Sequence, residues 1–200
     1  MSAYQIVLIA AAVIIITVAI AVIIKLIPNE SSEEPGRAAG KAGEKYASEI
    51  IRSVLRDGDL HFTNVSVSYN GKTAELDNVI VNKNGVFIIE VKNYSGALAG
   101  SETDFEWSKY HVSKGGNTYV KTVKNPIKQV NRQVYILSKF LYCYGVNVWV
   151  DGYVMILGAR SPVDSKSVLQ NTGDINRVIH TPGKKTLNKE TVNSIHKLLI

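Results

Sequence analysis

The sequence predicts an α/β domain preceded by a separate apolar segment. No charged side chain occurs between Met1 and Ile24, whereas charged residues are frequent beyond it. The dipeptides Asn70-Gly71 and Asn84-Gly85 separate three runs of alternating apolar residues, which is typical of strands joined by tight turns. Stretches with apolar residues at helical spacing lie on both sides of these runs. We therefore expect the order α-β-β-β-(hairpin)-α-β-(β)-α.

The apolar segment has the length of a membrane-spanning helix. Ile6 to Ile24 are nineteen residues in which Thr17 is the only polar one. At 1.5 Å per residue such a helix spans about 30 Å, the thickness of the hydrocarbon core of a bilayer. A cleaved signal peptide is the alternative, but that reading requires a basic start and a shorter apolar stretch. We predict a retained anchor over 1–27 and a polar linker over 28–36.

The basic residues near this segment predict its orientation. Lys25, Arg37 and Lys41 follow the segment and no basic residue precedes it. The positive-inside rule therefore places the C-terminal domain in the cytoplasm. The single cysteine, Cys143, excludes an internal disulfide and fits a reducing compartment. We expect Cys143 to be a core residue, and we expect a single-pass membrane protein with a cytoplasmic domain.

The charge of the chain is unevenly distributed. The formal net charge is +6. Residues 29–106 carry 13 acidic and 8 basic side chains, whereas residues 107–200 carry 4 acidic and 14 basic ones. A basic half indicates an anionic partner, and nucleic acid and anionic lipid are the leading candidates. The composition excludes an acidic disordered chain, a multi-span transporter and a disulfide-rich toxin.

Periodicity and turn residues predict the elements of the domain, which extends over 37–200. They are a helix over 37–56, strands over 62–69, 73–81 and 86–93, a hairpin around 115–117, a helix from Asn125-Pro126 to Tyr144, a strand over 146–157, a short strand over 177–180 and a helix over 189–199. Gly145 is expected to stop the second helix. Gly40 and Gly43 lower the helical propensity of the first helix, which either close packing against the sheet or proximity to the linker would explain. Trp107 and Trp149 are expected in the core.

The second hairpin brings charged residues together. If Asn84-Gly85 is its two-residue turn, Lys83 pairs with Val86, and Asp77 lies opposite Lys92. Side chains alternate along strands, so Asp77, Glu90 and Lys92 would share one face. Two carboxylates and a lysine at one end of a sheet can bind Mg²⁺ or Mn²⁺ and assist phosphodiester hydrolysis. An exposed ion pair between neighbouring strands is the alternative for the same residues.

A series of motifs around these residues resembles the nuclease-related domain (NERD) family of the PD-(D/E)xK, restriction-endonuclease-like group. The motifs are Gly43-Glu44, the run from Glu75 to Val81, the run from Gly85 to Gly96, Trp107, and Asn125-Pro126 with Gln129. The resemblance covers about residues 40–145. It implies a restriction-endonuclease-like core, a mixed sheet flanked by helices. Members often carry histidine where this chain has Asn78.

The same resemblance implies roles for individual residues. Asp77 and Glu90 would be metal ligands, and Lys92 would be the catalytic lysine. Glu44 would be an auxiliary acidic residue at the metal, and Gln129 would face the site from the second helix. The other interpretation of Glu44 is a surface ion pair with a lysine such as Lys41. The other interpretation of Gln129 is a helix-capping or surface residue.

Basic residues near this site predict a surface for nucleic acid. Lys128, Arg132 and Lys139 form one stripe of the second long helix, with Lys124 just before it. The hairpin adds Lys109, Lys114 and Lys121, with Tyr110 and Tyr119 between them. A solvated helix face and a lipid-binding surface are the alternatives.

These observations lead to one functional hypothesis and two alternatives. The hypothesis is a membrane-anchored nuclease that hydrolyses nucleic acid, DNA in preference to RNA, with Mg²⁺ or Mn²⁺. The first alternative is a module of the same fold that binds nucleic acid without cleaving it. The second is a structural protein whose basic surface contacts lipid or a protein partner.

Overall fold

The computed structural model describes residues 35–113, 115–160, 163, 165–183 and 186–200. The chain divides into two units, 1–38 and Ala39–Ile200. The predicted anchor over 1–27 and most of the linker over 28–36 lie outside the described residues. No helix within the described part of the chain is long and apolar enough to cross a membrane.

Along the described chain, one helix precedes a run of five strands, and a second helix, two strands and two more helices follow. They are α1 (Pro35–Arg52), β1 (Leu60–Tyr69), β2 (Lys72–Asn82), β3 (Gly85–Ala99), β4 (Glu106–Val112), β5 (Thr118–Lys124), α2 (Pro126–Cys143), β6 (Val150–Arg160), β7 (Val168–Leu169), α3 (Thr172–His180) and α4 (Lys189–Leu199). The strands predicted over 62–69, 73–81 and 86–93 are present, and β3 extends six residues beyond its predicted end at 93. The helix over 189–199 has its predicted bounds.

Strand β3 is the centre of a mixed sheet. Its first half pairs antiparallel with β2, its last residues pair antiparallel with β4, and it pairs parallel with β6 along most of its length. Beyond these neighbours, β1 joins β2, β5 joins β4, and β7 joins β6 in parallel. The predicted α/β class with a mixed sheet is confirmed, and the central position of β3 makes its side chains the natural place for a buried site.

Helices cover both faces of the sheet. On one face, α2 and α4 contribute Val130, Leu137 and Ile195 to a core that includes Ile88 and Trp107. On the other face, α1 and α3 contribute Ala47, Ile51, Ile175 and Ile179 to a second core around Ile89. We refer to these as the α2 face and the α1 face. Successive residues of β3 alternate between them, as the period of a strand requires.

The turn between β2 and β3 lies one residue earlier than predicted. Asn82 pairs with Gly85, so the turn residues are Lys83 and Asn84 rather than Asn84 and Gly85. The amide of Asn84 explains the difference, because its Nδ2 donates to the carbonyl of Ile179 at 3.1 Å and its backbone N–H donates to Oδ1 of Asn82 at 2.8 Å. The register therefore shifts by two residues. A shift of two changes the partners across the strands but leaves every side chain on its predicted face.

Asn125 fixes the start of α2 as the sequence predicts. Its Oδ1 accepts a hydrogen bond from the N–H of Ile127 at 2.9 Å. Its Nδ2 donates to the carbonyls of Ser101, Glu102 and Asp104, so one buried side chain also holds the loop before β4. Gly145, with φ of 78°, ends the helix as predicted.

Other predictions are wrong. Residues 177–180 belong to α3, because Asn171 caps that helix and Ile175 and Ile179 lie one turn apart in the core. The strand predicted over 146–157 begins at Val150, after a loop that follows Gly145. Cys143 is exposed because it lies on the solvent side of the last turn of α2. Trp107 is buried as expected, but Trp149 is 78% exposed and its indole N–H donates to Asp151.

The two glycines of α1 have different environments. A methyl group at Gly43 would lie 2.8 Å from the Cβ of Asn93 in β3, whereas nothing lies within 4 Å of the same position at Gly40. Close packing therefore explains Gly43 and does not explain Gly40. We expect Gly43→Ala to destabilise the domain by about 1–3 kcal/mol, since the helix and β3 would have to separate.

Gly40→Ala is the matched control in the same helix. We expect it to stabilise the domain by about 0.5–1 kcal/mol, because alanine has the higher helical propensity and no neighbour opposes it. Urea unfolding of both variants measures the two effects. Equal effects of the two substitutions would contradict the proposed contact between α1 and β3.

Candidate functional site

The candidate site forms where β2 and β3 separate. The ladder between the two strands ends at the pair Asn78–Ile89. Leu76 and Val79 both belong to the core of the α2 face, although simple alternation places residues three apart on opposite faces. On the adjoining strand β1, Asn64 has φ of 54°, in the left-handed region. Strand β2 therefore twists through Asp77, at the point where it leaves β3.

The carboxylate of Asp77 occupies the gap between the two strands. Its Oδ2 accepts a hydrogen bond from the backbone N–H of Val91 at 2.7 Å, in place of a carbonyl of a neighbouring strand. Burial and the charge of Glu90 raise the pKa of Asp77 to about 7, and Glu44 adds to this rise. The Val91 hydrogen bond and the charge of Lys92 oppose it. Asp77 therefore lies within electrostatic range of both other carboxylates.

Glu90 is the most deeply buried charged group of the site, with 1% of its surface exposed. Its Oε1 accepts hydrogen bonds from Nζ of Lys92 and Nε2 of Gln129, both at 2.5 Å. Its Oε2 accepts one from Nε2 of Gln133 at 2.6 Å. A buried carboxylate needs such donors, because the loss of its hydration costs several kcal/mol. The two glutamine donors also connect β3 to α2.

Lys92 lies on the same face of β3, two residues beyond Glu90. Burial lowers the pKa of its ammonium group, but the charge of Glu90 and the hydrogen bond to it outweigh this effect and raise the pKa overall. The side chain keeps 23% of its surface exposed. Lys92 is therefore a positively charged group at neutral pH that reaches from the buried carboxylate toward solvent.

The structure thus brings Asp77, Glu90 and Lys92 together, in a different register from the one predicted. Because pairing has shifted by two residues, Asp77 lies beside Glu90 instead of opposite Lys92. Glu44 lies on α1, one residue after the close contact of Gly43 with β3, and its charge acts on Asp77. The roles assigned to these residues remain predictions.

Two glutamines of α2 reach the site, although the sequence predicts a role for only one of them. Gln129 contacts Glu90 as expected of a residue that faces the site. Gln133, one turn later and 2% exposed, donates both to Glu90 and to the carbonyl of Glu75 in β2. Its Oε1 is buried without a hydrogen-bond partner. The spacing of four residues, which places both glutamines on one helix face, is the signal that identifies Gln133.

Asn78 holds the strands from the α1 face. Its Oδ1 accepts from the hydroxyl of Ser48 at 2.8 Å and lies 2.9 Å from Nε2 of His61. Burial lowers the pKa of His61, and the hydrogen bond to Asn78 only partly offsets this. A neutral His61 that donates from Nε2 satisfies this geometry. Asn78 points away from the site and ties α1 and β1 to the strand that carries Asp77.

The carboxylates suit a hard divalent cation. Mg²⁺ and Mn²⁺ prefer oxygen ligands, and Mg²⁺ commonly binds one or two protein carboxylates together with water and substrate phosphate. The mutual repulsion of Asp77 and Glu90, which helps to raise the pKa of Asp77, is the condition that a cation between them would relieve. No group of three or more His, Cys, Asp or Glu side chains suited to a metal ion occurs among the described residues.

The basic residues of the predicted nucleic-acid surface have several environments. Lys128 lies over the ring of Phe105, and Lys139 lies between the rings of Tyr135 and Tyr142. The guanidinium of Arg132 donates to the carbonyl of Thr73 at the start of β2. Lys124, at the end of β5, is paired across the strands with Glu106. All four lysine and arginine side chains are exposed.

Comparison with known proteins places this geometry in a family. The sequence model of the nuclease-related domain matches residues 39–157, which is more than half of the chain and includes every element of the site. An uncharacterized protein of Bacillus anthracis is 36% identical over 76 residues, which cover 35% of this chain and 34% of the relative. The chain thus spans about a third of the length of that relative. No solved structure matches the chain.

The match agrees with the resemblance found in the motifs and covers Asp77, Glu90, Lys92 and Gln129 alike. It begins at the first turns of α1 and ends within β6, so α3 and α4 lie outside it. The chain belongs to the nuclease-related domain family.

Proposed function

We propose that this protein hydrolyses phosphodiester bonds of nucleic acid by a metal-assisted mechanism. The observation that carries the proposal is the convergence of Asp77, Glu90 and Lys92 where β2 leaves β3. Membership of the nuclease-related domain family supports it. Two carboxylates and an ammonium group in one partly open site are the groups that phosphoryl chemistry requires: ligands for a cation, and positive charge for the phosphate.

Asp77 and Glu90 would hold the cation, and Glu44 remains the predicted third acidic residue near it. When bound, Mg²⁺ or Mn²⁺ would polarise the phosphoryl oxygen and lower the pKa of a water molecule. Val91 keeps one oxygen of Asp77 fixed, so the other oxygen is directed to the site. Gln129 and Gln133 fix the orientation of Glu90. The ligands are thereby positioned before any substrate arrives.

Lys92 would stabilise negative charge on the phosphate. Because its pKa is raised, it carries a proton at neutral pH and is unsuited to remove one from water. Its ammonium group lies beside Glu90 and its side chain is partly exposed, so a phosphate bound at the site could come within reach of it. Gln129, which shares the same oxygen of Glu90, would orient that carboxylate and the attacking water.

The basic residues of α2, together with Lys124 at the end of β5, would hold the nucleic acid. Lys124, Lys128, Arg132 and Lys139 are exposed, and positive charge there would attract phosphates without regard to sequence. We expect DNA in preference to RNA as the substrate.

A second function, binding without cleavage, is favoured by one observation. Both oxygens of Glu90 already accept hydrogen bonds, from Lys92 and the two glutamines. A cation that reaches Glu90 must therefore displace at least one donor. If that displacement is unfavourable, the site binds nucleic acid through its positive charges and does not turn over.

Cleavage assays with variants distinguish the two functions. The full-length chain is incubated with single-stranded and duplex DNA and with RNA, in Mg²⁺ or Mn²⁺. We expect cleavage, and we expect Asp77→Asn and Lys92→Met each to lower the rate by about 100-fold or more, because each removes charge that the transition state requires. Gel analysis of end-labelled strands measures the rate.

Lys83→Met is the matched control, since Lys83 is an exposed lysine at the opposite end of the same hairpin. Its rate should stay within about twofold of the wild type. Absence of cleavage with every substrate and both metals, while binding is retained, would support the non-catalytic function instead. Equal cleavage by the wild type and by both site variants would exclude these residues as the catalytic ones.

The raised pKa of Asp77 predicts a dependence of stability on pH. Since the pKa is about 7 in the folded protein and 3.8 ordinarily, the folded state favours the protonated carboxyl. The stability that this provides is complete below pH 4 and is lost as the pH rises through 7. In EDTA, the unfolding free energy of the wild type should fall relative to Asp77→Asn between pH 4 and 8, by at most about 4 kcal/mol.

Urea unfolding of both proteins across this pH range tests the prediction. Asparagine keeps an oxygen that accepts from Val91, so the variant preserves the hydrogen bond and removes only the charge. Millimolar Mg²⁺ at pH 8 should restore part of the lost stability in the wild type and none in the variant. Parallel stability curves for the two proteins would show that Asp77 has an ordinary pKa.

We also propose that residues 1–27 anchor the protein in a membrane, with the domain in the cytoplasm. The uncharged run from Ile6 to Ile24 supports this, and the basic residues after it support the orientation. The full-length chain should stay in the membrane fraction after an alkaline carbonate wash, whereas a chain lacking residues 1–27 should appear in the supernatant. Release of the full-length chain by the wash would contradict the anchor.

A further inference from the structure

The β4–β5 hairpin is largely exposed. Trp107 is its fully buried residue, and Val123 beside it is partly buried, whereas most positions nearer the turn are exposed. Beyond Glu106 at its base, residues 107–124 of the hairpin include four lysines and no acidic residue. The hairpin is therefore a two-stranded basic ribbon that the packing of the domain does not account for.

The register of the hairpin sorts its side chains into two different faces. On the first face, Lys109 pairs with Lys121, and His111 pairs with Tyr119 one step nearer the turn. On the second face, Glu106 pairs with Lys124, and exposed apolar residues follow. Directly paired like charges repel each other, by roughly 0.2–1 kcal/mol in sheets. The Lys109–Lys121 pair therefore does not serve the stability of the hairpin, and a bound anion would relieve its repulsion.

The first face is continuous with the candidate site. Trp107 shows that this face lies on the α2 side of the sheet, the side that also carries Glu90. Lys109 pairs with Leu98 at the end of β3, and its Nζ lies 5.5 Å from the centre of the Tyr94 ring. Glu90, Lys92 and Tyr94 are at every second position of β3 and so share one of its faces. One face of the sheet thus runs from the carboxylate to the ribbon.

Gly96 makes this continuity possible. Its φ of 92° is accessible to glycine, and a methyl group there would lie 2.0 Å from the carbonyl oxygen of Tyr110. Strand β3 can therefore carry both the site and the base of the ribbon without a break. Gly96, the last residue of the motif that begins at Gly85, is thus required for β3 to continue from the site to the hairpin.

Lysines alternate with aromatic rings along this face. Lys92 is followed by Tyr94, then by the Lys109–Lys121 pair, and then by the His111–Tyr119 pair. Tyr119 is 52% exposed and His111 is also exposed. Proteins that bind unpaired strands combine basic residues for the phosphates with rings on which bases stack. In a duplex the bases stack on one another, so their faces are not available to a ring.

We propose that this face of the β4–β5 hairpin binds an unpaired strand of nucleic acid and leads it to the site. Lys109 and Lys121 hold phosphates, and Tyr119 stacks on a base. The inference rests on the proposed function, which makes nucleic acid the ligand. It adds the substrate class, which is a single-stranded nucleic acid or a single-stranded end of a duplex. It concerns a surface distinct from the basic stripe of α2.

Equilibrium binding in EDTA tests the proposal without any cleavage. Fluorescence anisotropy measures binding of the full-length chain to a labelled strand of twenty thymidines and to a labelled duplex of twenty base pairs. We expect the single strand to bind at least tenfold more tightly. Tyr119→Ala should weaken binding of the strand by about 5- to 100-fold and leave duplex binding within twofold, since one stacked base is lost.

The lysine pair is tested through salt dependence. For the single strand, Lys109→Gln/Lys121→Gln should reduce the slope of log affinity against log salt by about 1.4, because two phosphate contacts are lost. Two exposed controls have the same chemistry elsewhere: Tyr46→Ala on α1, and Lys189→Gln/Lys197→Gln on α4. Neither control should change strand affinity by more than twofold or alter the slope.

The outcomes separate this inference from the proposed function. Equal or tighter binding of the duplex, or unchanged strand binding by the hairpin variants, would overturn the inference and leave metal-assisted cleavage to be judged by its own assay. Failure of the wild type to bind any strand would also overturn it. Strand binding that depends on the hairpin, without cleavage in Mg²⁺ or Mn²⁺, would uphold the inference and count against the nuclease activity.

Discussion

The rest of the site depends on the burial of the Glu90 carboxylate in the middle of the sheet. A carboxylate in this position is unstable unless donors replace its lost water, and α2 and β3 supply them through Gln129, Gln133 and Lys92. Gln133 also donates to the carbonyl of Glu75, so the same amide fastens α2 to β2. The position of the helix over the sheet and the chemistry of the site therefore have one physical cause.

The separation of β2 from β3 completes the arrangement. Asp77 can approach Glu90 only because the ladder ends at Asn78–Ile89 and the backbone N–H of Val91 donates to the Asp77 side chain instead of a strand carbonyl. Asn78 holds the strand from the opposite face through Ser48 and His61. The cost is that burial and the charge of Glu90 both oppose ionisation of Asp77, which raises its pKa. A bound cation would favour the ionised form of both carboxyl groups, which gives the proposed metal a physical reason.

The sequence predicts most of this site because the face on which a strand side chain lies depends only on whether its position is odd or even. The turn between β2 and β3 was placed one residue too late, yet Asp77, Glu90 and Lys92 still meet, since a register shift of two preserves the faces. The predicted cross-strand partners are wrong because the position of the turn depends on the contact of Asn84 with Ile179, which lies nearly a hundred residues away in the sequence. The strand predicted over 177–180 is wrong for a similar reason. Its apolar residues fit the repeat of a strand or of a helix, and the helix forms because it packs on the α1 face of the sheet. The role of Gln133 could not be predicted from its spacing alone. The spacing places it on the same helix face as Gln129 but does not show that a buried carboxylate lies beneath that face.

The claim that Asp77 and Glu90 form one divalent cation site is tested most directly by counting bound Mn²⁺. Manganese is titrated into the full-length chain at pH 8 without substrate, and the free ion is measured from its paramagnetic resonance signal. We expect saturable binding by the wild type, with Asp77→Asn and Glu90→Gln each weakening it by at least about tenfold. Binding of equal affinity in all three proteins, or no binding at millimolar Mn²⁺, would show that these carboxylates form no such site.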